Sequence, residues 1–305
     1  MPNSNIEWEL YRAFLGVLRE GSLSGAARAL GVAQPTVGRH VAALEAALGL
    51  VLFTRSQSGL LPTEAALALR AHAETMESTA AALERTASGL RDGAAGVSGT
   101  VRISVSEVVG VEVMPAIVAD LGRQHPALKV ELVLSNRVHD LLQREADIAV
   151  RMTAPRQEQL VARRIGTIEL GLHAAPAYLA RRGTPATLDE LGGHALIGYD
   201  RPTPFVRQAA KALPGYSRDC FALRTDSDVA QLALIRAGAG IGVCQAPLAM
   251  RAPALVRVLA DAFTFRLDTW VTMHEDLRAS PRCRAAFDAL AAGLEDYIGG
   301  ARSAP

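Results

Sequence analysis

No stretch of about eighteen uncharged apolar residues occurs in this chain of 305 residues, so no membrane span is expected. The opening segment, MPNSNIEWELYRAF, is acidic and amphipathic and lacks an apolar h-region, so no signal peptide is expected and the cytoplasm is the expected compartment. Cysteine is scarce. Cys220, Cys244 and Cys283 are odd in number, far apart and without a CxxC. They read as small buried hydrophobes in a reducing environment, with a redox-sensing pair of Cys220 and Cys244 as the alternative if the two meet in space. Catalytic signatures are missing as well: there is no HExxH, GxSxG or P-loop. GAGIGV follows a helix and enters a strand, the reverse of what dinucleotide binding needs. No enzyme, metal site or cofactor is expected. Nor is there an excess of charge of one sign. The net charge is +1, and in the first 59 residues Arg12, Arg19, Arg28, Arg39 and Arg55 nearly balance Glu7, Glu9, Glu20 and Glu45.

The chain does have length for two or three domains, and half its residues are hydrophobic, enough for buried sheets. Its organising stretch is LSGAARALGVAQPTVGRHVAALEAALGLVLFTR, from Leu23 to Arg55. Helical spacing predicts one helix burying Leu23, Ala26, Ala27 and Leu30. A second, from Gln34, buries Val37, Val41, Leu44 and Leu48. Gly31 stands where a left-handed cap ends the first, and Pro35 falls in the first turn of the second, where a missing N–H costs nothing. This is a helix-turn-helix pattern, whose second helix enters the DNA major groove. IEWELYRAFLGVLR ahead of it predicts a supporting helix with Leu10, Phe14, Val17 and Leu18 inward, and Ser22 is placed to cap the next one. LVLFTRSQSGLLPT behind it predicts two short strands around a turn, a wing.

From Thr63 to Leu90, Leu69, Met76, Leu83 and Leu90 recur every seven residues, as do Ala66, Ala73, Ala80 and Ala87. A helix of this length spans roughly 40 Å and carries a heptad seam expected to pair with a second copy. The alternative is packing on the chain's own C-terminal domain. After the linker RDGAAGVSG the period changes. TVRISVSE, KVELVLS and DIAVRM read as strands, with VEVMPAIVADLGRQHP and LLQREA as helices between them. A second unit holds RRIGTIELGLHAAP, ALIGYD, CFALRTD, the helix VAQLALIRAGAG and the strand IGVCQ. LDTWVTMH returns to the first unit and a helix follows Ser280-Pro281. Alternation implies parallel pairing and two α/β lobes joined by two crossings, with a cleft at the carboxyl ends of the strands.

FLGVLREGSLSGAARALGVAQPTVGRHVAALEAALGLVLFTR resembles the N-terminal domain of LysR-type transcriptional regulators, through AAxxL, VAQPTV, the LE–LG pair at Leu44-Glu45 and Leu48-Gly49, and LFTR. AAPAYLARRGTP, IRAGAGIGV and HEDLRASPRCRAAFDAL extend the resemblance over almost the whole chain. It implies a multidomain fold: an all-α winged helix-turn-helix N-terminal domain (1–62), a long linker dimerisation helix (63–92) and a two-lobed α/β periplasmic-binding-protein-like effector domain (93–305). Lobe I would hold 100–164 and 268–303, and lobe II 165–267. The implied partners are double-stranded promoter DNA, a small-molecule effector, a second copy in a homodimer assembled as a dimer of dimers (a homotetramer), and RNA polymerase. Two positions depart from the family: Gly38 stands in the recognition helix where Ser is common, and Ala66 replaces a Gly after the wing.

The expected DNA-binding residues are Ser22, Arg28, Gln34, Pro35, Thr36, Arg39, His40 and Arg55. Gln34 suits adenine, whose N6 and N7 a carboxamide can bond together, with helix capping as its alternative. Arg39 can read guanine or hold phosphate, the latter being the commoner contact. His40 divides between backbone contact and plain surface. The expected effector-binding residues lie just past strand ends: Ser104, Ser106 and Glu107; Ser135, Asn136 and Arg137; Arg151, Met152 and Thr153; and Tyr199, Asp200, Thr225, Asp226, Ser227 and Gln245. Free helix N–H groups beside Ser104 and Ser106 would suit an anion, whereas Glu107 would repel one. The set leaves an amino acid, an organic acid and an aromatic open.

Overall fold

Three short helices begin the chain: α1 (Trp8–Glu20), α2 (Leu23–Leu30) and α3 (Gln34–Leu48). In the computed structural model the described residues are 6–56, 59–91, 97–136, 146–155, 159–202, 206–207, 217–251 and 253–300. They divide into two units with the boundary between Glu84 and Arg85. In the first, Ala13 and Val17 of α1 pack on Ala26 and Ala27 of α2 and on Val37 and Val41 of α3. Leu23, Leu30 and Leu48, expected inside, are only half-buried. Gly16 sets the α1–α2 approach, because a Cβ there would lie 3.1 Å from Leu30 Cδ1 and 3.3 Å from the Ala26 methyl. Gly31 ends α2 at φ 67°, as the helix-to-helix turn requires.

The wing follows as β1 (Phe53–Ser56) and β2 (Gly59–Pro62), antiparallel with Arg55 opposite Leu60. Its tip, Gln57 and Ser58, lies outside the described residues. Glu45 anchors the wing's entry: its carboxylate accepts from the backbone N–H of Leu52 at 2.7 Å and of Phe53 at 3.2 Å. That explains the glutamate of the LE–LG pair.

α4 (Glu64–Arg91) starts on Thr63, whose hydroxyl accepts from the Ala66 N–H at 3.2 Å and donates to the Val51 carbonyl at 2.8 Å. The helix corrects the expected seam. Ala66 and Ala73 are fully buried, in a core with Phe14, Leu15, Leu44 and Leu52, and Leu69 packs against it. Each of those large side chains contributes roughly 1.5–3 kcal/mol by leaving water. The small positions of the first heptads are therefore filled by the chain's own N-terminal helices. Met76 and Leu83 are 40% and 70% exposed. Ala80 and Ala87 are half-buried, and the Leu90 side chain lies outside the described set.

The second unit is built on a nine-stranded sheet among the described residues. β3 (Gly99–Val105) runs parallel to β4 (Leu128–Leu134) and β5 (Ile148–Arg151). Between β3 and β4 stand two helices where one was expected, α5 (Glu107–Glu112) and α6 (Met114–Gln124). Pro115 is the reason, since it has no N–H to continue the α5 ladder. LLQREA lies almost wholly outside the described residues.

β6 (Leu160–Ala174) is followed by α7 (Pro176–Arg182), β7 (Leu196–Gly198), β8 (Leu223–Arg224), α8 (Asp228–Arg236), β9 (Ile241–Gln245), α9 (Ala246–Ala249) and β10 (Val256–Val258). β7 runs parallel to β8 and β9, and β9 is antiparallel to β6. β11 (Phe265–His274) returns antiparallel to β5 and to nearly the whole of β6, with a register shift between Thr269 and Trp270. β6 and β11 are thus continuous through both expected crossings at 164–165 and 267–268. α10 (Pro281–Gly300) closes the core with Phe287, Leu290 and Leu294.

In this unit Arg85, from the last turns of α4, is buried with Asp147 (side chains 8% and 6% exposed) at 3.2 Å. The same carboxylate accepts from the Arg102 N–H at 2.8 Å, so its lone pairs are satisfied as burial demands.

Candidate functional site

The outward face of α3 carries the first candidate site. Val37, Val41 and Leu44 point inward, which turns Pro35, Arg39, Ala42 and Ala46 out along one stripe. Ala33 occupies the cap position, and its methyl offers no acceptor to the first N–H groups. Gln34, next to it, is exposed at the positive end of the helix. Thr36 is half-buried on the flank. Arg28, in the last turn of α2, and Arg55, on β1, are exposed. Ser22 has a structural task, its hydroxyl accepting from the Gly25 N–H at 3.1 Å to cap α2. His40 turns away from the Arg39 stripe into a small recess with Glu9, Arg12 and Leu30. Gly38 has room beside it: a Cβ would meet only Leu23 Cδ1, at 3.6 Å.

The second candidate site is the seam between the lobes. α5 and α8 meet there. Glu107 accepts from the Ser227 hydroxyl at 3.2 Å, and the Glu107 N–H donates to the Asn136 side-chain oxygen at 3.1 Å. The Asn136 amide donates to Asp228 at 2.9 Å, and the Tyr199 hydroxyl donates to the other Asp228 oxygen at 2.5 Å. Burial pushes the Asp228 carboxyl up, with the Tyr199 hydrogen bond pulling it down and the nearby Glu107 charge pushing the same way as burial. Tyr199 is raised by burial first and then by Asp228. Farther along the seam, Arg236 clasps Glu112 with both nitrogens, at 2.6 and 2.9 Å, and holds that carboxyl below its usual range. Arg251 donates to the Glu112 backbone carbonyl.

Several expected ligand residues are engaged elsewhere. Ser104 is buried, and its hydroxyl accepts from Arg151 at 2.7 Å, so the two side chains occupy each other. Asp226 holds the Asp200 and Arg201 N–H groups at 3.1 and 2.9 Å, while Asp200 pairs with Arg218. Thr225 accepts from the Ser227 N–H at 3.3 Å and from Gln231 through its carbonyl at 3.0 Å. Gln245 is buried and accepts from the Tyr297 hydroxyl at 2.6 Å. These four (Asp200, Thr225, Asp226 and Gln245) brace loops and core, because a polar side chain at a strand end first satisfies nearby backbone. The Met152 sulfur accepts from Thr269. Ser106 is half-buried at the start of α5 without a side-chain cap bond, Ser135 is half-buried, and Thr153 is exposed. Arg137 lies outside the described residues. Sequence reasoning missed Asp228, Glu112 and Arg236, which bond across the seam to partners 92 to 124 positions away.

Cys220 is exposed and Cys244 and Cys283 are buried, and the three form no disulfide among the described residues. Burial pushes the Cys244 thiol up to about 12 against the opposing pull of Arg236, so thiolate, the reactive species, is scarce there. Among the described residues no helix is long and apolar enough to cross a membrane.

The family model described as the LysR substrate binding domain matches residues 94–295, and that for bacterial regulatory helix-turn-helix proteins of the lysR family matches residues 8–67. An HTH-type transcriptional regulator of Xanthomonas campestris pv. campestris is 32% identical over 184 residues, which are 60% of this chain and 53% of that protein. The chain thus spans about half the length of that relative. PtxR, an HTH-type transcriptional regulator of Pseudomonas aeruginosa, is 30% identical over 257 residues, 81% of this chain and 80% of that one. Full-length CbnR in complex with its target DNA superposes with a TM-score of 0.63 at 22% identity, covering 97% of this chain and 99% of that chain. At that identity the likeness concerns the fold.

Proposed function

We propose, proceeding from the fact that this chain belongs to the LysR family, that it is a DNA-binding transcriptional regulator governed by a small effector bound between its lobes. The observation that carries this is the outward stripe at the open N-terminal end of α3, where Gln34, Pro35 and Arg39 stand unburied on a rigid three-helix core. Gln34 would bond adenine and Arg39 a guanine or a phosphate. Arg28 and Arg55 would hold the backbone on either side. Near-neutral charge makes each such module a weak phosphate binder, which favours several acting together. The DNA complex of CbnR supports that reading by fold.

The segments 1–62, 63–92 and 93–305 serve as DNA-binding, dimerisation and effector domains. In the dimerisation role, Met76 and Leu83, exposed on α4, meet a second copy, and pairs of dimers hold an interrupted palindrome. The effector enters beside Ser106, Glu107 and Tyr199. It competes with the Glu107–Ser227 and Asn136–Asp228 bonds and so shifts the population of lobe arrangements. That shift alters DNA bending and what RNA polymerase meets, all within the cytoplasm. No catalytic step is assigned.

The test is footprinting of purified protein on DNA upstream of its own gene, across a salt series. Two separated protected half-sites, lost in Arg39→Ala, support the proposal, and the salt slope counts the phosphates neutralised. Binding that is weak and equal on random DNA, with or without metabolite extract, refutes it.

A further inference from the structure

A sizeable cavity among the described residues lies away from the lobe seam. It holds about 610 Å³ and opens over the face of β6 that carries Glu169 and His173, beneath α9 and the end of α10. That size falls within the span of small-molecule sites, about 300–1,000 Å³. None of the seam residues lines it.

Its charge is unbalanced. Arg257 and Arg266 both reach Glu169, Arg257 in close contact and Arg266 at 3.7 Å. Two guanidiniums thus share one carboxylate. Arg257 also donates to Thr264 at 2.7 Å, and its buried Nε has no hydrogen-bond partner among the described residues. Gly171 makes room for that guanidinium, since a Cβ there would sit 2.8 Å from Arg257 Nε. His173 adds no charge. Its Nδ1 lies 2.8 Å from the Gly171 carbonyl, and burial lowers the ring to about 4, so it is neutral at physiological pH. The opposite wall is apolar, with Met250 and Leu255 among its residues.

We infer that this cavity is a second ligand site, for a small organic acid whose carboxylate pairs with Arg266 and Arg257 and whose apolar body lies on Met250 and Leu255. A ligand carboxylate would balance the second positive charge, which the single carboxylate of Glu169 leaves over, and bidentate pairing is what guanidinium geometry favours. The occupant touches β6 and β11, the two strands that run through both lobe crossings, so it bears on the lobe hinge without entering the seam.

The experiment is calorimetric titration of the full chain with naphthoate, with uncharged naphthamide as its counterpart. Saturable binding of naphthoate and none of naphthamide is expected. Arg266 is 72% exposed, so Arg266→Glu leaves the fold intact and weakens binding by about tenfold or more, the scale of one charge-assisted hydrogen bond. Arg266→Lys, which keeps the charge but not the guanidinium fork, loses less of it than Arg266→Glu and more than nothing. Met250→Asp, at a position open to solvent, also abolishes it and guards against a folding artefact at either site. Naphthamide binding as well as naphthoate, wild-type affinity in both Arg266→Glu and Met250→Asp, or no saturable heat at millimolar naphthoate each overturns the inference.

Discussion

The helical unit and the α/β unit use their polar residues in opposite ways. In the helical unit the candidate contacts Gln34, Arg39 and Arg55 stand outside the packing, and the bonds that cap its helix and anchor its wing are short in sequence, Ser22 to Gly25 and Glu45 to Leu52, although Arg19 reaches Glu77. In the α/β unit nearly every candidate is already bonded, to residues as far apart as Glu107 and Ser227 or Asn136 and Asp228. A surface that reads DNA can be left open on a finished core. On the proposed function, the lobe seam is held together by the same groups that would meet a ligand there.

The contrast can be broken at the most buried ion pair among the described residues. Asp147→Ala leaves Arg85 buried without its carboxylate, and is expected to cost about 3–5 kcal/mol in urea unfolding. The loss should appear in the α/β unit, leaving a fragment of the helical unit unaffected. A loss below 1 kcal/mol, about the value of an exposed pair, would remove the pair from the ledger of that unit.

A smaller effect comes from pH. His173 is neutral in the folded chain down to about 4, whereas an unfolded histidine protonates near 6.5. Stability is therefore full above about 6.5 and declines as pH falls towards 4, where the folded ring also takes its proton, by about 3 kcal/mol in all. His173→Gln should flatten that part of the stability–pH curve, and an unchanged slope would assign it to other groups. The smallest effect belongs to the helical unit. Gly38→Ala has space for its methyl and should raise stability by about 1 kcal/mol in thermal unfolding, since Gly is a poor mid-helix residue. A loss of stability would mean that the α2–α3 contact is tighter than 3.6 Å suggests.

The same contrast decides what could be read from the sequence. Helix periodicity placed α1 to α3 and located Val37, Val41 and Leu44 inside, because such patterns depend on neighbours three and four positions away. Alternation predicts the parallel pairing of β3 with β4 and β5 and of β7 with β8 and β9, but not the antiparallel pairing of β6 with β9, β10 and β11. The split at Pro115 was overlooked although the proline was visible. The heptad of α4 misled because spacing says which residues share a face but not what covers it. Ala66 and Ala73 fit a partner helix or Phe14 and Leu44 equally well. In the candidate cleft, Ser104 and Gln245 stand at strand ends, which is all that the sequence shows of them. Whether their side chains face solvent or a neighbour such as Arg151 or Tyr297 depends on non-local packing that one sequence does not encode locally.

The burial of Ala66 and Ala73 bears on how such chains can be cut and recombined. The helix-turn-helix module does not end with its wing: it includes the first three turns of the long helix as the cover over Phe14 and Leu44. A fragment stopped at residue 62 would bare that apolar floor and aggregate, while one carried past Ala73 would keep it dry. A chimaera that exchanges reading heads between relatives keeps both halves sound only if its junction falls inside α4, beyond Ala73.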